Sequence, residues 1–73
     1  MRTYYFNLNA SYEMCEKLYT ASTNSVILHS ESGERIQIPT LNLRPFVTRV
    51  GLKGRFRLII TSENKVFSFE KIT

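Results

Sequence analysis

The sequence predicts an α+β domain: a small curled antiparallel sheet of about five strands, with one N-terminal amphipathic helix and one short central helical turn. Three observations predict it. Several short runs alternate apolar and polar residues, the mark of half-buried strands. One early segment instead spaces its apolar residues three and four apart, as a helix does. Turn signals at Glu31-Ser32-Gly33-Glu34 and Ser62-Glu63-Asn64-Lys65 join strand runs into two local hairpins. Hairpins with few helices give the α+β pattern, here in the order strand, helix, strand, strand, short helix, strand, strand.

The elements follow in turn. Arg2 to Asn9 alternates, with Tyr4, Phe6 and Leu8 on one face and Thr3, Tyr5 and Asn7 on the other. Ser11 is a natural N-cap, and Glu13 places negative charge in the first turn, where the helix dipole favours it. Met14, Cys15, Leu18 and Tyr19 then supply the apolar side of a helix of two to three turns, Ser11 to Tyr19. Residues Ala21 to Ser25 read as a polar connector. Val26 to Ser30 and Arg35 to Ile38 are strands, joined by a loop in which Gly33 takes positive φ. Pro39 ends the second of them, Leu41 and Leu43 are expected anchors, and Pro45 opens a helical turn through Phe46, Val47 and Val50 that Gly51 closes. Arg55 to Thr61 alternates again, with Phe56, Leu58 and Ile60 inward and Arg55 and Arg57 outward. Asn64 suits the left-handed position of the last turn, and Val66 to Ile72 completes a hairpin with Phe67 and Phe69 inward. The first strand is expected to pair with a later one.

Seventy-three residues make one domain, residues 1–73. A chain this short removes only about 60% of its unfolded surface from water, so it folds with little to spare. One cysteine allows neither an internal disulfide nor a metal cage, and it fits a reducing compartment. Nine aromatic residues therefore matter for the core. Asn7 and Asn9 interrupt the N-terminal apolar run too early for a secretory signal, and no stretch is long enough to span a bilayer. The expected setting is cytoplasmic, without a membrane.

The residue inventory argues against an enzyme. The chain has no aspartate and a single histidine, His29, placed by alternation on the face opposite Val26 and Leu28. Cys15 falls on the apolar side of the helix, where a thiol is ordinarily inert. Nucleophile, base and orienting group cannot be assembled from these, and neither can three or four metal ligands. No cofactor and no small-molecule substrate are expected.

What stands out is charge. The net charge is +4, and half of the ten basic residues lie between Arg44 and Arg57, in a region without acidic residues from Ile36 to Ser62. Arg44, Arg49, Lys53, Arg55 and Arg57 are thus the candidate surface for nucleic acid or another polyanion. Arg55 and Arg57 are about 7 Å apart by strand rise, near the spacing of successive phosphates. The plain alternative is that an exposed strand face must be polar and that arginine protects an edge. Gly51-Leu52-Lys53-Gly54 has the form of the KH-domain backbone clamp, and Lys53-Gly54-Arg55-Phe56 begins like the signature of an RRM sheet. The first needs helices on both sides, and the second needs outward aromatics where this chain has arginine. A second function class is a protein-interaction module, which a homodimer pooling two small cores would satisfy, with Tyr5, Tyr12 and Phe46 as its aromatic contacts.

Four segments carry a family resemblance: Tyr4-Tyr5-Phe6-Asn7-Leu8-Asn9, Gly33 to Pro39, Leu43-Arg44-Pro45-Phe46-Val47-Thr48, and Gly54-Arg55-Phe56-Arg57-Leu58. Together they are similar to a family of short, single-domain bacterial proteins of unknown function. Its members have a Leu-Arg-Pro-Phe segment followed by Gly-x-x-Gly and a strand containing arginine or phenylalanine. The resemblance covers nearly the whole chain and implies a small cytoplasmic domain with no assigned activity. Relatives tend to hold histidine before the proline, where this chain has Leu41-Asn42, so no role for a histidine carries over.

Overall fold

The computed structural model describes residues 1–19 and 24–73. The five strands form, but in two sheets. β1 (Arg2–Ala10), β4 (Leu52–Ile60) and β5 (Val66–Lys71) make a three-stranded antiparallel sheet with β4 in the middle. β2 (Ser25–His29) and β3 (Arg35–Pro39) form a separate hairpin. The expected α+β domain with a single five-stranded sheet is therefore corrected: the described residues are mostly strand, in a sheet of three and a sheet of two, with only short helical turns.

The reason lies in what must be covered. β1 pairs with β4 along its whole length, from Arg2↔Ile60 to Ala10↔Leu52. That pairing, continued in β5, lines up Phe6, Phe56, Leu58 and Phe69 on one apolar face. Helical segments this short cannot hide such a face. The β2–β3 hairpin does so instead, with Val26, Leu28, Ile36 and Ile38 packed against it and Ile38 fully buried. Phe56 and Phe69 stack at 5.3 Å between centroids, and Phe46 meets both edge-on at 5.4 and 5.7 Å. These are the offset and edge-to-face geometries that the ring quadrupole favours.

The helical segments are shorter than expected. α1 spans only Tyr12–Cys15, with the Met14 N–H donating to the Ser11 Oγ cap at 3.3 Å. The chain then tightens into a 3₁₀ turn over Glu16–Tyr19. Three residues per turn place Cys15 and Leu18 one above the other, and these two are buried. Met14 and Tyr19, expected on the same apolar side, are exposed. The expected central helix is replaced by two 3₁₀ turns, Thr40–Asn42 and Arg44–Phe46, after which Val47 is extended. Leu43 is an anchor as expected, whereas Leu41 faces solvent. Of the polar connector, Ala21 to Ser25, residues 21–23 lie outside the described residues, and Ser25 already begins β2.

Both hairpin turns take their expected form, with φ of +95° at Gly33 and +63° at Asn64. One detail of the last strand differs. A register shift pairs Ile59 with Ser68 and Ile60 with Val66, leaving Phe67 without a partner opposite it. An extra residue of this kind turns its side chain out of the alternation. Phe67, expected in the core, is 62% exposed. No helix among the described residues is long and apolar enough to cross a membrane.

Candidate functional site

Alternation along β4 sends Phe56 and Leu58 into the core and leaves Lys53, Arg55 and Arg57 on the opposite, outer face. The register adds Tyr5 beside Arg57 and Asn7 beside Arg55 from β1, and Glu70 beside Arg57 from β5. The sequence thus placed the strand's arginines on the correct side. Their partners were not visible in it.

Glu31 is the chief partner. It sits in the β2–β3 turn, whose backbone reaches the free edge of β1: the Glu31 N–H donates to the Tyr5 carbonyl at 2.7 Å. Its carboxylate accepts from Arg55 Nε at 2.7 Å and from Arg55 Nη2 at 2.9 Å, a two-pronged ion pair. Asn7 Nδ2 donates to the same carboxylate at 2.9 Å. The guanidinium also lies 4.5 Å over the Tyr5 ring, within cation–π range. The hydrogen bond from Arg55 holds the Glu31 carboxyl below its usual range, against a smaller opposing effect of desolvation. Arg57 lies 3.6 Å from Glu70. Its Nε is buried with no hydrogen-bond partner among the described residues.

Arg44 and Arg49 lie outside β4. Arg44 belongs to a 3₁₀ turn, donates through Nε to the Leu18 carbonyl at 2.6 Å, and covers the Tyr19 ring at 5.5 Å. Tyr19 returns a hydrogen bond to the Arg44 carbonyl at 3.2 Å. Arg49 is at the tip of a tight turn closed by paired backbone hydrogen bonds between Thr48 and Gly51, each 2.9 Å. Arg49 and Lys53 are exposed and make no ion pair among the described residues. The candidate aromatic contacts separate too. Tyr5 lies under Arg55 on the outer face, Phe46 packs on Phe56 and Phe69 on the inner face, and Tyr12 is half-exposed on α1.

The two glycines of the clamp-like segment have structural duties. A Cβ at Gly51 would fall 2.0 Å from the Ala10 carbonyl oxygen, and one at Gly54 would fall 2.6 Å from that of Thr73. Both mark places where backbones cross closely, and neither needs a ligand to account for it. His29 is exposed and pairs across the hairpin with Arg35, while Cys15 is buried. Among the described residues no three His, Cys or Glu side chains gather as metal ligands would.

A different feature emerged that no sequence pattern announced: a cleft where β3 overhangs the inner face of the larger sheet. Its two adjoining hollows measure about 430 and 500 Å³ and share Gln37, Ile60 and Asn64. Tyr4, Leu58, Ile60 and Val66 provide apolar floor, and Arg2, Arg35 and Lys65 provide positive charge at the rim. Arg2 donates to Asn64 Oδ1 across one end. Glu34 also lines it, but its carboxylate accepts from the Ser30 and Ser32 hydroxyls of its own turn. Both hollows are open to solvent rather than enclosed. The residues come from all five strands, the last turn and the Thr40–Asn42 turn, so only the folded arrangement brings them together.

Comparison with known proteins places the chain by family alone. The model of a family described as "Protein of unknown function (DUF2835)" matches residues 2–72. No curated protein and no solved structure matches the chain.

Proposed function

The chain belongs to the DUF2835 family, and we propose that it is a small non-catalytic module that binds another protein through the cleft beside β3. One observation carries the choice between the two binding classes. Arg55, the centre of the expected polyanion surface, is already held by both oxygens of Glu31, with Tyr5 beneath it. A phosphate would have to displace a carboxylate that the β2–β3 turn holds in place. Arg57 faces Glu70, and Arg44 is turned to Leu18 and Tyr19. The cleft, by contrast, combines an open apolar floor with cationic side chains, a combination suited to protein recognition. The absence of catalysis rests on the residue inventory: a buried thiol, a single exposed histidine and no aspartate.

Nucleic-acid binding is the competing reading, supported by Arg49, exposed on the Thr48–Gly51 turn, and Lys53, exposed on β4. Fluorescence anisotropy with labelled single- and double-stranded oligonucleotides, from low to physiological salt, separates the two. The protein-binding reading expects weak, shallow binding that Arg55→Gln and Arg57→Gln leave unchanged. A log–log salt slope of about −3 to −4, lost in those variants, would mark a grip by about four cations and overturn it.

A further inference from the structure

The cleft has one wall made of backbone, and that wall identifies its occupant. In the β2–β3 hairpin, the Ser30 N–H donates to the Glu34 carbonyl at 2.8 Å and the Thr40 N–H to the Asn24 carbonyl at 3.0 Å. Both pairs share the register that sets Leu28 opposite Ile36 and Val26 opposite Ile38. Hydrogen-bonded and non-hydrogen-bonded pairs alternate along an antiparallel ladder. Arg35, Gln37 and Pro39 therefore direct their backbone groups away from β2. Among the described residues no strand pairs with β3 on that side. The same residues line the cleft.

We propose that the free edge of β3 accepts an extended peptide as an added strand, with its apolar side chains on the floor formed by Tyr4, Ile60 and Val66 and its acidic side chains at Arg2, Arg35 and Lys65. Main-chain pairing supplies affinity in this mode of recognition, and alternate side-chain pockets supply selectivity. Arg35 and Gln37 each offer an N–H and a carbonyl, while Pro39 offers a carbonyl only. The proline thus marks where pairing stops. Charge decides the sequence class. Three cations line the cleft against Glu34, which is engaged within its own turn. A segment alternating acidic and apolar residues matches both the period of a strand and the distribution of charge. This assignment rests on the protein-binding reading and specifies its partner.

The test uses the full chain, labelled with ¹⁵N, and a capped eight-residue peptide alternating glutamate and valine. The expected result is saturable shifts at Arg35, Gln37, Ile60 and Asn64 to Val66, with slower exchange of the Arg35 and Gln37 amide protons. A lysine–valine peptide, and a glutamate–valine peptide N-methylated on the residues that face the edge, should each bind at least about tenfold more weakly. Arg35→Glu combined with Lys65→Glu, both at exposed positions, should weaken the original peptide about fivefold or more at low salt. Equal binding of the N-methylated peptide would overturn strand addition, as would shifts without a change in amide exchange. Protection of Arg35 and Gln37 that rises with protein concentration in the absence of peptide would give the edge to a second copy and overturn the peptide assignment. Failure of every peptide alongside featureless oligonucleotide titrations removes this assignment alone. Steep salt-dependent oligonucleotide binding removes the reading beneath it.

Discussion

Gly51 shows how far a single side chain can matter here. Its φ is +106°, and an added Cβ would sit 2.0 Å from the Ala10 carbonyl oxygen, closer than atoms can come. Gly51→Ala must both strain the backbone and push the β1–α1 junction, Ala10 to Tyr12, away from the Thr48–Gly51 turn. We expect a loss of at least about 2 kcal/mol in urea unfolding. The motif reading of Gly51-x-x-Gly54 predicts no such cost, since a ligand-contacting glycine would affect binding first. The outward direction of Arg55 and Arg57 was legible from period two alone, because a strand's alternation is set by its own backbone. Their engagement by Glu31 and Glu70 was not, since Glu31 is 24 residues from Arg55. Nothing local in a sequence reports which distant carboxylate a guanidinium will meet.

The β2–β3 hairpin is the element whose behaviour should depend on pH. Its turn carries two carboxylates held below the usual value of 4.5: Glu31 by Arg55, and Glu34 by the Ser30 and Ser32 hydroxyls. A folded-state pKa below the unfolded one stabilises the protein above the unfolded value and ceases to do so as pH falls through the folded one. Unfolding midpoints should therefore hold steady near neutrality and drop below about pH 4.5. Glu31→Gln and Glu34→Gln should each lower stability near neutrality and flatten the acid limb. A variant that titrated like the parent would show that these contacts do not persist in solution. The hairpin itself was readable from Gly33 and its flanking alternation. The 3₁₀ character of the segments after Cys15 and around Pro45 was not, because residues three and four apart fit either helix type until packing chooses.

At the scale of the molecule, the core is a thin layer between two sheets, and Phe46 closes it. Its ring is edge-on to Phe56 and Phe69 although it lies in a 3₁₀ turn outside both sheets, partly buried. We expect Phe46→Ala to cost about 2–3 kcal/mol. That is a large share of the stability, on the order of 5 kcal/mol, of so short a domain. Tyr12→Ala, by contrast, should change stability by no more than about 0.5 kcal/mol. Thermal unfolding of the pair decides whether Phe46 is a core residue or, as the sequence invited, a contact for a partner. Equal midpoints for both variants would return Phe46 to the surface.

Local chemistry written in the chain determined the five strands, both turns, the N-cap at Ser11 and the side of β4 on which its arginines stand. Each of these is settled within a few residues by alternation, by a backbone angle or by a single hydrogen bond. Tertiary structure alone decided that the strands divide into sheets of three and two, that Phe67 leaves the core at a bulge, and that Glu31 neutralises Arg55. It also decided that a cleft opens beside β3. These depend on which surfaces must be hidden from water once the strands exist, and that competition is resolved between segments far apart in the chain.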